Sequence, residues 1–311
     1  MEIYLPIAGM SINIFVLIGL GGLVGFLSGL FGVGGGFIMT PLMMMAGIPP
    51  AVAAASDSNQ IVAGAASGAY AHWRLGNVDF KLGTVLLIGG VAGGTAGVQL
   101  VKLLREAGNI EFVMKVVYVV MLTTIGGSMF WESLATIRRS RSRAAAPPPV
   151  MEKKKRVSFW ARLPLQMNFT QSGLRTSAIF PFLIAAVVGL LAALLGVGGG
   201  FIMVPAMIYI IGMPTIVAVG TDLFQIVITT ANITLQQAIT NQTVDLLLAM
   251  LLLMGSTIGA QFGARVGRRL RGEQIRILLA IIVLLFAVKF IYDLLVSPDN
   301  LITLSGGSGG H

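Results

Sequence analysis

The chain has 311 residues, of which 56% are hydrophobic and only 11% charged. A soluble domain is nearer about a quarter charged, so a water-soluble globular protein is excluded. The net charge of +9 invites a nucleic-acid reading, but the basic residues sit mainly in one central loop and at a few helix ends. Membrane topology accounts for that placement, and no nucleic-acid partner is expected.

The first apolar run covers 12–31, with neither a basic n-region nor a small-residue cleavage site, so it reads as a helix and not as a removed signal peptide. Glycines at 32–36 break it, and the short segment 37–47 that follows is too brief to cross a bilayer comfortably. Pro49 and Pro50 interrupt the chain again. A third helix is predicted over about 52–73, a fourth over about 80–104, and a fifth over about 111–132. The fourth carries Gly89, Gly93 and Gly97 at the spacing that lets a neighbouring helix approach closely. Residues 133–178 then bring Arg138, Arg139, Arg141, Arg143, Lys153, Lys154, Lys155, Arg156, Arg162 and Arg175 around three prolines. They read as a solvent-exposed cytoplasmic connector with a small hairpin near 163–176. After it the pattern returns at about 179–196, 201–212, 215–239, 244–268 and 273–296. The end of the chain, Ser305 to His311, reads as an expression linker in a tail spanning 297–311.

The return is a duplication. Gly-Val-Gly-Gly-Gly-Phe-Ile-Met-Thr-Pro begins at Gly32, and Gly-Val-Gly-Gly-Gly-Phe-Ile-Met-Val-Pro begins at Gly196. Pro49 answers to Pro214, Asp57 to Asp222, Gln60 to Gln225, Asp79 to Asp245, Gly93 to Gly259 and Gly97 to Gly263. The expected fold is therefore all-α and polytopic: one repeat over 10–132, the connector, and a second over 179–296. Basic helix ends favour opposite faces in the two copies, with Lys102 and Arg105 as mild exceptions. This predicts inverted repeats with both termini outside.

Interrupted helices in an inverted duplication are the architecture of secondary transporters, whose site lies near mid-membrane between the halves. At Gly34, Gly35, Gly36 and Gly198, Gly199, Gly200 no side chain blocks an anion from the backbone amides and the positive end of a broken helix. The bland reading, tight turns and close packing, stands beside it. Ser56-Asp57-Ser58-Asn59-Gln60 and Thr221-Asp222-Leu223-Phe224-Gln225 form the second candidate, since polar groups in hydrocarbon should face an interior or a wet cavity. Ser56 and Thr221 read as caps, and Asn59, Gln60 and Gln225 as donors to substrate oxygens. Asp57 and Asp222 would repel an anion unless protonated or paired. They read as coupling groups for a proton or sodium, or as groups that steady their own helix starts. His72, beside Trp73 and Arg74, is an interfacial anchor or a proton relay. Lys289 and Asp293 are spaced to pair on one helix face, and Met43 to Met45 read as packing.

These motifs give the chain its resemblance: it is similar to the TauE/SafE sulfite exporter family, also called the toluene sulfonate uptake permease family. The likeness rests on the doubled Gly-Val-Gly-Gly-Gly-Phe with its following proline, the Ser/Thr-Asp-x-x-Gln stretches and Asn77-Val78-Asp79. It implies a carrier of sulfite, sulfoacetate or another organosulfonate in a bacterial inner membrane, commonly working outward and needing no cofactor. Competing classes are a cation exchanger using Asp57 and Asp222, and a scaffold whose basic loop recruits a partner. An intramembrane enzyme is poorly supported, since no cysteine and only one histidine before the tail are present to build a constellation.

Overall fold

The structure, a computed structural model, describes residues 2–31, 35–142, 166–169, 171–172, 174–267 and 272–296. Gly34, most of the predicted connector and the linker-like tail lie outside these residues.

Each half opens with a two-stranded antiparallel hairpin. The first pairs β1 (Glu2–Leu5) with β2 (Met10–Asn13), and the second pairs β3 (Gln166–Phe169) with β4 (Leu174–Ser177). Helices α1 (Ile14–Phe31), α2 (Gly36–Met45), α3 (Pro50–Arg74), α4 (Phe80–Glu106) and α5 (Ile110–Ser142) follow the first hairpin. Helices α6 (Ile179–Leu195), α7 (Gly200–Pro205), α8 (Thr215–Gln236), α9 (Leu246–Gly267) and α10 (Gly272–Leu295) follow the second. α7 continues as a π-helical turn to Ile211, and α8 as another to Asn241.

The predicted order of helices holds, with three differences. Met10–Asn13 forms a strand where the first helix was expected to start, because an apolar run carries no period that separates strand from helix. α5 runs to Ser142 instead of stopping near 132. The hairpin predicted near 163–176 is present at 166–177, and a second one precedes α1.

Among the described residues, five helices are long and apolar enough to cross a membrane: α4, α8, and segments Ile110–Ser128, Leu246–Gly263 and Ile277–Leu295. Large apolar side chains such as Phe15, Leu285 and Ile258 stand on the outer surface, where lipid replaces water. α2 has 10 residues. At ~1.5 Å per residue it reaches about half of a ~30 Å hydrocarbon core. Alone, α2 is too short to cross that core.

Glycine decides how the long helices meet. α1 packs on α9 in the same direction: Gly21, Gly25 and Gly29 lie against the backbone at Leu252, Ser256 and Ala260. α6 packs on α4 in the same way, with Gly89, Gly93 and Gly97 against Phe182, Ala186 and Leu190. Lipid tails offer no hydrophobic drive between helices, so contact must come from backbones brought close together. Across the centre, α3 and α8 run in opposite directions, Gly68 meeting Leu223 and His72 meeting Gly220. α5 and α10 are also antiparallel, Tyr118 against Phe290 and Gly126 against Val283.

Candidate functional site

The second glycine break uses left-handed backbone. Gly196, Gly198 and Gly199 have φ of 73°, 74° and 84°, which costs any other residue ~1–2 kcal/mol. A Cβ on Gly196 would also lie 2.4 Å from the Ala54 carbonyl oxygen. Gly199 accepts from the amides of Ile202 and Met203, and the amides of Gly200 and Phe201 before them have no backbone acceptor among the described residues. In the first break Gly35 plays the same part, accepting from Ile38 and Met39 at 3.0 Å. The two breaks meet. Phe37 and Phe201, equivalent residues of the doubled motif, stack with centroids 4.2 Å apart and planes 9° from parallel.

Beside that stack lies a cavity of about 1240 Å³ between α1, α2, α3, α7, α8 and α9. Of the residues the sequence singled out, Gly35, Gly36, Gly200, Gln60 and Asp222 line it. Its other polar lining consists of hydroxyls and an amide, including Ser28, Ser67, Ser256 and Gln261, among mostly apolar side chains. Among the described lining residues there is no lysine, arginine or histidine, and Asp222 is the one charged group. Gly198 and Gly199 shape the turn without lining the cavity, and Asn59 is half-buried away from it.

The paired Asp and Gln positions have diverged. Asp222 accepts from Gln225 Nε2 at 2.9 Å, and Gln225 Oε1 accepts from Thr229 at 3.0 Å. Gln225 thus holds Asp222 from within the same helix and does not itself line the cavity. Gln60 has no such tie: Gly64 stands where Thr229 would be, and its buried Oε1 has no partner among the described residues. Asp57 sits outside the cavity lining and is fully buried. Its Oδ2 accepts from Thr40 Oγ1 at 2.9 Å, while Oδ1 has no partner among the described residues. Val204 replaces Thr40 in the second half, which is why Asp222 turns to its own helix for a donor. Thr40→Val is expected to lower stability by about 1–3 kcal/mol, the cost of a buried acceptor left without a donor. Thermal melting in detergent measures it, and Val204→Thr should show no comparable loss.

Ser56 and Thr221 do not cap their own helices. Ser56 Oγ accepts from the amide of Asp245 at 3.2 Å, and Thr221 Oγ1 accepts from the amide of Asp79 at 3.0 Å. Each thus reaches into the opposite half. The sequence reading also missed Tyr118, which is buried and donates its hydroxyl to the Leu195 carbonyl, the last residue before the second break. Arg105, an exception to the charge rule, gains a reason for its place. Its guanidinium donates to the Asn241 carbonyl at 2.6 Å, where the carbonyl of the π-helical turn offers an acceptor. Lys289 and Asp293 pair at 2.6 Å on an exposed face. Trp73 is exposed at its helix end, as an interfacial anchor would be, and half-buried His72 packs beside Gly220.

Long apolar helices, two short helices broken at glycine and a central cavity where those breaks meet define a polytopic membrane transporter. The sequence profile of the family described as "Sulfite exporter TauE/SafE" matches residues 17–290, and the chain belongs to that family. It is a multi-pass membrane protein and a transporter, not an enzyme; a bacterial inner membrane suits the family. The "Probable membrane transporter protein YjnA" of Bacillus subtilis is 28% identical over 91% of this chain and 100% of its own length. The "Probable membrane transporter protein YunE" of the same organism is 27% identical over 91% of this chain and 98% of its own. The Arabidopsis thaliana "Sulfite exporter TauE/SafE family protein 6" is 44% identical over 54 residues, 17% of this chain and 13% of its own. No solved structure matches the chain.

Proposed function

We propose that the protein is a secondary transporter that carries a small sulfur-containing oxyanion, sulfite or an organosulfonate, outward by alternating access. The observation that carries this reading is the meeting of both glycine breaks at one cavity, with the side-chain amide of Gln60 in its wall. Broken-helix amides and an amide side chain supply donors to a sulfonate's oxygens without a fixed cation, so release stays easy. The apolar remainder of the wall suits an organic body more than bare sulfite. Two halves laid in opposite orientations, with both termini outside, provide the two access states. The antiparallel contacts of α3 with α8 and of α5 with α10 support that arrangement. An inside-negative potential drives a lone anion outward, and Asp222 supplies a place for a coupling proton or sodium.

Flux of labelled sulfite, sulfoacetate and toluenesulfonate into proteoliposomes tests the reading. Saturable flux of at least one is expected, and Gln60→Ala should weaken it by about 10- to 100-fold, the loss of one hydrogen bond to a charged ligand. No flux of any sulfur anion under an imposed proton gradient would overturn it. Asp222 as the sole charge among the described cavity residues also favours a cation exchanger. In that case Asp222→Asn abolishes all transport, including exchange.

A further inference from the structure

Each hairpin is tied to the opposite half of the chain, and the two ties repeat one design. Asp79, 3% exposed, caps α4 by accepting from the Leu82 amide at 3.2 Å. Its other oxygen accepts from Ser172 in the loop of the second hairpin, from the amide at 3.0 Å and from Oγ at 2.5 Å. Its own amide donates to Thr221. Asp245, 2% exposed, caps α9 through the Leu248 amide at 3.1 Å. Its other oxygen accepts from the Ile7 amide at 3.2 Å in the loop of the first hairpin, and its own amide donates to Ser56. One carboxylate thus gathers a hairpin, a helix start and a helix of the site, at each of two places.

Two features tie the place of each hairpin to the helices of the site. A two-stranded hairpin is marginal alone, so its place depends on what it docks against. The first docks through Asp245 and through buried Leu5, with Ile3, Ala8, Met10 and Ile12 packed on the same core; the second docks through Asp79 and buried Phe169. Thr221 and Ser56 immediately precede Asp222 and Asp57. A shift of α8 or α3 that reorients the site aspartate therefore also moves the latch acceptor.

We infer that Asp79 and Asp245 are gating residues: each, with its hairpin, latches one face of the transporter, and the two latches open in alternation. The inference rests on the oppositely oriented halves of the proposed mechanism. Because the chain has no cysteine, single reporters can be introduced without background. A cysteine replacing Ser67 in the cavity wall, probed with a membrane-impermeant maleimide from either side of the membrane, reads which face is open. Asp79→Asn and Asp245→Asn keep an acceptor for the helix cap and weaken the charged bonds to the hairpin. Each is expected to bias labelling towards one face by on the order of tenfold, the effect of one charge-assisted hydrogen bond on a two-state equilibrium. The two biases should be opposite, and the double variant should return the ratio towards that of the parent. Equal changes at both faces, or a lower melting temperature with no change in sidedness, would make the joints static clamps and overturn the proposal. If Asp79→Asn does not fold, Ser172→Ala spares the cap and gives the same reading. Cysteines replacing exposed Pro6 and Gln171 test orientation separately. Labelling of both from the same face removes the inverted arrangement and the latches with it. Labelling from opposite faces with no bias from the aspartate variants removes the latches alone.

Discussion

Gly93→Leu is expected to leave no folded protein, while Gly19→Leu folds and melts like the parent. A Cβ at Gly93 would lie 1.8 Å from the Ala186 carbonyl oxygen, and at Gly19 it would meet nothing within 4 Å. The obstacle at Gly93 is backbone, which cannot swing aside as a side chain can. Even alanine must push α4 from α6 and loosen the neighbouring approach at Gly97. Overpacking a fitted core costs about 1–3 kcal/mol, and a whole crossing forced apart should reach the upper end or beyond. A domain's total stability is only about 5–15 kcal/mol. Gly259→Ala should cost a similar amount at the other crossing, where the Cβ would lie 2.0 Å from the Gly22 carbonyl oxygen. Fluorescence-detected gel filtration and thermal melting in detergent measure both. A Gly93→Ala protein as stable as the parent would mean that the helices do not approach this closely.

The close approach at α4 was legible in advance because a four-residue glycine spacing leaves a mark in the chain whatever it packs against. The same holds for the doubled break, whose glycines and prolines announce the interruption locally. The partners of those features were not legible. Gly89, Gly93 and Gly97 advertise a close neighbour but not that it is α6 of the other half. Ser56 and Thr221 look like helix caps in sequence, yet their partners lie 189 and 142 residues away. Asp79 and Asp245 were visible as matching positions of a repeat, and Asp79 also within Asn77-Val78-Asp79, but neither as a link to a hairpin. The first hairpin was hidden because Met10–Asn13 merges with the apolar run of α1. One detail of the site could have been read: Asp222, Gln225 and Thr229 follow at intervals of three and four, which puts them on one helix face. Gly64 and Thr40 in the other half break that equivalence, so the two aspartates differ although their motifs match.

Asp222→Asn is expected to abolish proton-driven accumulation of the anion while preserving exchange of labelled for unlabelled substrate. An ionised carboxylate and a bound anion about 5 Å apart, at an effective dielectric of about 20, repel by ~3 kcal/mol. That corresponds to on the order of a hundredfold in affinity. Linkage is reciprocal, so the anion must bind more tightly to protein that carries a proton at Asp222, and the proton more tightly when the anion is present. Gln225 is placed to hold the carboxyl in the cavity wall whichever form it takes. Asparagine keeps the shape and a partner for Gln225 but cannot change charge. Affinity measured by exchange should then lose its dependence on pH. Asp57→Asn should behave differently: Asp57 lies outside the cavity lining and answers to Thr40 on α2, so its loss acts on the packing of the first break before it acts on coupling. Counterflow and gradient-driven flux measured side by side in proteoliposomes separate these outcomes. If Asp222→Asn accumulates substrate as the parent does, the coupling charge lies elsewhere. If it also fails in exchange, Asp222 belongs to binding itself, and the cation-exchanger reading gains the ground that the anion carrier loses.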